Sequence, residues 1–287
     1  VSLASLAHPQ ATVLDLGLDL SSTGFDIATR TGPVEMSASA ASVASPIETL
    51  VPFLTGPTAL SMKGEVGANT ITIEQASVQN DVLRAETSGT FNRVDNVIDL
   101  GLSADVARGV MPESARGVLG ERIAISGRVA RSAVGVIDFT GLDIASGPLT
   151  ATGKATVTDG TINAAVTGAL ADLSRLSDQV SGAARFAIEA VGPVSAPALT
   201  VDLSSDRIES AGHAITGLSL KAAGTADAAN PAADISLAGK VGDQSLEGSA
   251  KLASDGGRNR ITGLNLSLGP NRISGDLDLD SSFKPTG

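Results

Sequence analysis

Residues 149–170 read LTATGKATVTDGTINAAVTGAL, and their alternation decides the fold. Leu149, Ala151, Gly153, Ala155 and Val157 take every second position, with Thr150, Thr152, Lys154 and Thr156 between them. That is the period of a β-strand with one apolar and one polar face. Asp159-Gly160 follows, a strongly favoured pair for a two-residue hairpin turn. Ile162, Ala164, Val166 and Gly168 resume the alternation on the return strand. Strands buried on both faces would read as continuous apolar runs. A connection this short also excludes a parallel crossover.

The same period extends in both directions. Leu14, Leu16, Leu18 and Leu20 alternate with Asp15, Gly17 and Asp19, and Ile98, Leu100 and Leu102 repeat the pattern. Beyond residue 180 come Phe186/Ile188, Leu199/Val201/Leu203, Leu218/Leu220, Ile235/Leu237/Val241, Leu264/Leu266/Leu268 and Ile273/Leu277/Leu279. The expected fold is all-β: an elongated, repetitive, curved antiparallel sheet forming a groove, with a few short helical patches. Three stretches break the period. Residues 45–55 predict a short helix with Ser45 as N-cap, Pro46 at N1 and Glu48 at N3, limited by Pro52. Residues 104–119 and 169–181 read as short amphipathic segments, the first interrupted by Pro112. Gly89 and Gly153 lie 64 apart and Gly127 and Gly192 lie 65 apart, which suggests a repeat of about 64 residues stacked quasi-linearly. Residues 1–287 are therefore expected to form one continuous repetitive unit. About 18–20 strands at ~4.8 Å would make a stack roughly 90 Å long.

Composition narrows the functions. The chain has 287 residues, 20 basic and 31 acidic, a formal net charge of −11, and no Cys. Leu, Ile, Val and Phe number 75, enough for an ordered core. Without thiols there is neither a disulfide framework nor a Cys zinc site. The acidic balance opposes a nucleic-acid binder, which needs a cationic footprint on phosphates. The six Phe, with no Tyr or Trp, leave little on which bases could stack. No apolar run is long enough to span a bilayer, and no charged n-region precedes an apolar h-region. The chain begins at Val1 and reads as a segment of something longer.

Catalytic motifs are missing. No two glycines are separated by a single residue, which excludes GxGxxG and the kinase loop, and no GxSxG occurs either. His8 and His213 stand far apart, and His213 reads as a surface-turn residue. Asp276, Asp278 and Asp280 alternate with Leu on a strand and read as a solvated outer face, as do Asp15 and Asp19. They lack the Gly and Glu that a calcium loop needs. The SDGGRNR stretch (254–260) lacks the order of a calcium-binding glycine repeat and reads as a polar loop. No catalytic residue, metal or cofactor is expected.

What remains is a surface. The candidate groove-lining residues are the alternating apolar positions given above, from Leu14 to Leu279. The 2% aromatic content fits an aliphatic face better than a discrete pocket.

LGPNRISGDLDLD (268–280) resembles a phrase that recurs in the TamB family, the inner-membrane component of the bacterial translocation and assembly module. GPVSAPALTVDLSSDRIESAGHAITGLSLKAAG (192–224) and ALADLSRLSDQVSGAARFAIEAVG (169–192) are similar to other recurring elements of that family. The related AsmA-like proteins share the texture. The resemblance implies a "β-taco", a long U-shaped sheet with an apolar interior standing in the periplasm. It implies a parent anchored in the inner membrane, with an outer-membrane TamA-like barrel as partner. Two roles are implied: conducting phospholipids between the membranes, and assisting outer-membrane protein and autotransporter assembly. Phospholipid acyl chains and unfolded outer-membrane proteins are the corresponding ligands. Two alternatives stand beside the conduit. One is a chaperone offering strand edges to clients. The other is a structural β-solenoid or adhesin stalk with a dry, closed interior.

Overall fold

The computed structural model describes residues 2–286 except positions 9, 10, 49, 112, 118, 176–178, 228–230, 256, 257 and 281–285. The chain divides into two compact units, Val1–Gly147 and Pro148–Gly287.

The first unit is an antiparallel meander. Its strands are β1 (Ser2–His8), β2 (Ala11–Ser21), β3 (Gly32–Ala40), β4 (Ser42–Ala44), β5 (Thr58–Val66), β6 (Thr70–Gln79), β7 (Leu83–Asn92), β8 (Val97–Ala107), β9 (Arg122–Arg131) and β10 (Ile137–Ser146). Each pairs with its neighbour in sequence, except that β3 and β4 both lie along β2 and β3 continues to β5. The second unit repeats the plan. Its strands are β11 (Leu149–Thr158), β12 (Thr161–Leu170), β13 (Val180–Gly182), β14 (Ala184–Pro193), β15 (Ala198–Ser210), β16 (His213–Thr225), β17 (Ala232–Val241), β18 (Gln244–Asp255), β19 (Arg258–Leu268) and β20 (Asn271–Leu279). Here β13 and β14 share the edge of β15, and β14 pairs on to β12.

The hairpin at 158–161 forms as its sequence demands. Asp159 and Gly160 both have positive φ, 48° and 73°, the left-handed pair whose twist matches the flanking strands. The register is unbroken from Leu149↔Leu170 to Thr158↔Thr161. Elsewhere the ladders shift near Gly141, Gly217 and Gly263, whose φ values are 59°, 58° and 61°. Such bulges bend a sheet and sharpen its twist.

The helical patches are shorter than the sequence suggests. Among the described residues of 45–55 only Val51–Phe53 is helical, and as a 3-10 turn. Pro52 has no N–H for an α-type bond, and the amides of Phe53 and Leu54 reach only to the carbonyls of Leu50 and Val51. Ser45 does cap locally, its hydroxyl accepting the Ile47 amide at 3.2 Å. In 104–119 the first four residues belong to β8, because Val106 is held in register between Leu83 and Ile123. A 3-10 turn (Arg108–Val110) and one turn of helix, α1 (Glu113–Arg116), follow, while Pro112 lies outside the described residues. In 169–181, Leu170 closes β12, Leu173–Arg175 form a 3-10 turn, and Val180 begins β13. The SDGGRNR stretch is mostly strand, β18 running to Asp255 and β19 starting at Arg258. Its two central glycines lie outside the described residues.

Little of this is core. The buried apolar residues include Val106, Leu119 and Ile123 in the first unit and Leu170, Leu173 and Ala184 in the second. They sit where the turns at 108–120 and 171–175 fold against strand ends. No large side chain among the described residues is completely buried. The accessible surface is 17237 Å². One compact globule of this mass would expose about 11,300 Å², and two compact halves about 13,600 Å². The excess matches the many large apolar side chains left exposed, Leu20, Leu60, Leu102 and Ile273 among them.

Candidate functional site

Cross-strand register turns the alternating residues into continuous rows. In the second unit, Ala151, Gly168, Phe186, Leu203, Leu220, Leu237, Gly248, Leu266 and Ile273 stand opposite one another in succession from β11 to β20. A parallel row runs Gly153, Val166, Ile188, Val201, Ala222, Ile235, Ala250. The glycines make room for larger neighbours. A Cβ on Gly248 would lie 3.2 Å from both Leu237 and Leu266, and one on Gly168 would collide with Phe186.

The first unit has aliphatic rows of its own. Leu18, Ala38, Leu60, Val78, Ala85, Ala104, Ile125 and Ile144 form one row from β2 to β10. Leu20, Met36, Met62, Ala76, Thr87, Leu102 and Gly127 form the next. The sheet curls enough that Leu60 of β5 and Phe139 and Leu142 of β10 line one concavity of about 450 Å³. Leu102, Ile125 and Val129 contribute to its wall. The face is open: Leu60, Leu102 and Phe139 are 44%, 41% and 40% exposed. In β20 Ile273 reaches 65%.

Most of the sequence-predicted lining residues take places in these rows. Leu149 faces Leu170, Val157 faces Ile162, and Ile98 and Leu100 face Phe91 and Gly89. Leu199 stands opposite Gly224, Leu218 opposite Ser205, and Val241 opposite Ile215. Leu264, Leu268, Leu277 and Leu279 pair with Gly275, Asn271, Ile261 and Asn259. At the start of the chain Leu16 faces Leu3, whereas Leu14 lies between Ser5 and Ser42. Asp15 between them has φ 51°, a local backbone irregularity within β2.

Sequence reading missed much of the concavity, naming only Leu102 among its lining residues. In β6 the register shifts between Ile73 and Ala76, so the apolar parity changes within one strand. In β7 and β9 Thr87 and Gly127 occupy the apolar rows and hide the alternation.

The opposite face is ionic. Lys221 and Asp202, 3.5 Å apart, and Lys251 and Asp234, 3.0 Å apart, bridge paired strands. Asp276 and Asp278 both meet Arg260, at 3.6 and 3.3 Å, as solvated outer-face groups. Arg128 forks onto Asp99, and its hydrogen bonds hold the Asp99 carboxyl below its ordinary range. Glu74, hydrogen-bonded to Lys63 at 3.0 Å, raises that ammonium above its usual value. These exposed pairs contribute little to stability but keep one face in water. His213 begins β16 beside the turn at Ala211-Gly212 and is exposed. Among the described residues no three His, Asp or Glu side chains gather as a metal site.

Comparison with curated proteins and with solved structures returned no match. The family model described as "TamB, N-terminal domain" matches residues 117–286, from the turn before β9 to beyond β20. That span covers more than half of the chain and the whole of the second unit's strand set, so the chain belongs to the TamB family.

Proposed function

We propose that the open aliphatic face binds phospholipid acyl chains and that this chain forms part of a periplasmic path for lipid between the two bacterial membranes. The observation that carries the reading is the set of in-register aliphatic rows whose described residues are left half exposed. Each methylene that leaves water on such a face gains about 0.8 kcal/mol. The wall has few directional polar groups, so a chain can slide without breaking a hydrogen bond at each step. Nothing in this role requires bond chemistry, so the protein is read as a binder and not an enzyme. No helix among the described residues is long and apolar enough to cross a membrane. In this reading an inner-membrane anchor and a TamA-like outer-membrane barrel engage other parts of the parent protein.

The test is site-specific photo-crosslinking in cells. Probes at Leu102, Val166 and Leu237 are expected to capture phospholipid, and probes at Asp99 and Asp278 on the ionic face are not. Equal labelling of the two faces would sink the proposal.

A further inference from the structure

Within the apolar rows of the first unit one cation stands out. Arg131 closes β9 in register with Ile98 and Ile137, on the same face as Val129, Gly127 and Ile125. The other arginines of β9, and Arg84 of β7, alternate onto the ionic face and carry carboxylate partners, Arg122 with Asp105, Arg128 with Asp99 and Arg84 with Glu86. Arg131 instead donates one hydrogen bond, at 2.7 Å, to the backbone carbonyl of Asn96 in the β7–β8 turn chain. Among the described residues no carboxylate bridges to it. The flanking acids Asp99 and Asp138 stand opposite Ala130, whose side chain takes the other face.

A guanidinium has five N–H donors, and the Asn96 carbonyl takes only one of them. A guanidinium set among aliphatic side chains of an open face keeps its spare donors in water until a ligand arrives, and can turn them onto an anion that settles beside it. Its position selects the kind of anion. Val129, two residues along β9 and about 7 Å away at strand spacing, is part of the concavity wall with Phe139. A ligand with its hydrocarbon on Phe139, Val129 and Leu102 would place a headgroup beside Arg131. Arg93 lies at the same rim, its guanidinium holding the Gly67 and Ala68 carbonyls, each at 2.7 Å, and it adds positive charge there.

We propose that Arg131 is a phosphate-contacting residue at the mouth of the first unit's concavity and holds the headgroup phosphate of a phospholipid whose acyl chain lies against Phe139. This rests on the reading of the face as a lipid surface. The geometry suits the planar fork of arginine, which grips phosphate oxygens in pairs.

The test compares fluorescent phosphatidic acid and diacylglycerol probes of equal chain length on wild type, Arg131→Gln and Arg131→Lys, with inorganic phosphate as competitor. Wild type is expected to prefer the phosphatidic acid probe by about tenfold, the scale of one charge-assisted hydrogen bond. Arg131→Gln should abolish the preference while leaving diacylglycerol binding unchanged, and Arg131→Lys should restore part of it. Equal loss of both probes in Arg131→Gln, with a lowered melting temperature, would reduce Arg131 to a staple for the Asn96 turn and overturn the proposal. Inorganic phosphate binding that depends on Arg131 yet leaves the phosphatidic acid probe in place would identify free phosphate as the ligand and overturn it too. If wild type binds neither lipid probe, the lipid reading itself fails.

Discussion

Gly168 shows how tightly the apolar rows are specified at single positions. Its hydrogen occupies space that Phe186 claims from the next strand, and a Cβ there would also meet the Thr150 carbonyl oxygen at 2.5 Å. Gly168→Ala is expected to destabilise the second unit by about 1–3 kcal/mol, as overpacking does. Adding Phe186→Ala should relieve only part of that cost, since the backbone carbonyl remains; thermal melts of the two variants check this. Gly248→Ala should be milder, because its neighbours are side chains at 3.2 Å that can give way. On the other face, Asp99 makes a different prediction. Its folded pKa is depressed by the Arg128 hydrogen bonds, so its contribution is present above the ordinary carboxylate value of 3.8 and is lost as pH falls through the folded value. Wild type and Asp99→Asn should therefore differ slightly in melting temperature at neutral pH and converge below pH 3.8.

At the scale of elements, the inserts do more than interrupt the sheet. Ser146 is almost wholly buried, accepts the Gly120 amide at 3.0 Å and donates to the Arg122 carbonyl at 2.9 Å. It latches the 108–121 segment to the end of β9 and β10 and helps bury Leu119. Ser146→Ala leaves both backbone groups short of a partner and should cost about 1–3 kcal/mol. Faster hydrogen exchange at the Gly120 amide should accompany the loss, whereas exchange inside β9 should hold. Such latches were invisible in the sequence, since one serine among many carries no local signal. The strands were legible because alternation is a property of neighbours in the chain. The length of the helical inserts was not, because β8 and β12 extend into them through pairing with strands distant in sequence. Val106 reads as part of an amphipathic segment until Leu83 and Ile123 are seen to flank it. Arg131 was missed for the same reason: a strand-end arginine looks like any surface charge until register places it in an apolar row.

For the whole molecule, the decisive quantity is the surface left in water. An unfolded chain of this mass exposes roughly 41,000 Å², and the folded one exposes 17237 Å². Folding thus buries about 10–20% less than it would in one compact globule or two. The urea m-value, which follows the area exposed on unfolding, should fall short of the value expected for 287 residues by the same fraction. The open face should also bind a hydrophobic dye such as ANS in the native state, with far-UV circular dichroism unchanged, unlike the dye binding of a molten globule, which comes with lost packing. Loading with phospholipid should displace the dye and raise the melting temperature, because a ligand that binds only the folded state stabilises it. A closed solenoid of the same composition predicts the reverse on each count: a full-sized m-value, little dye binding, and no response to lipid. An m-value at or above the size expectation would mean that the aliphatic rows close on one another in solution, and the conduit reading would fall with them.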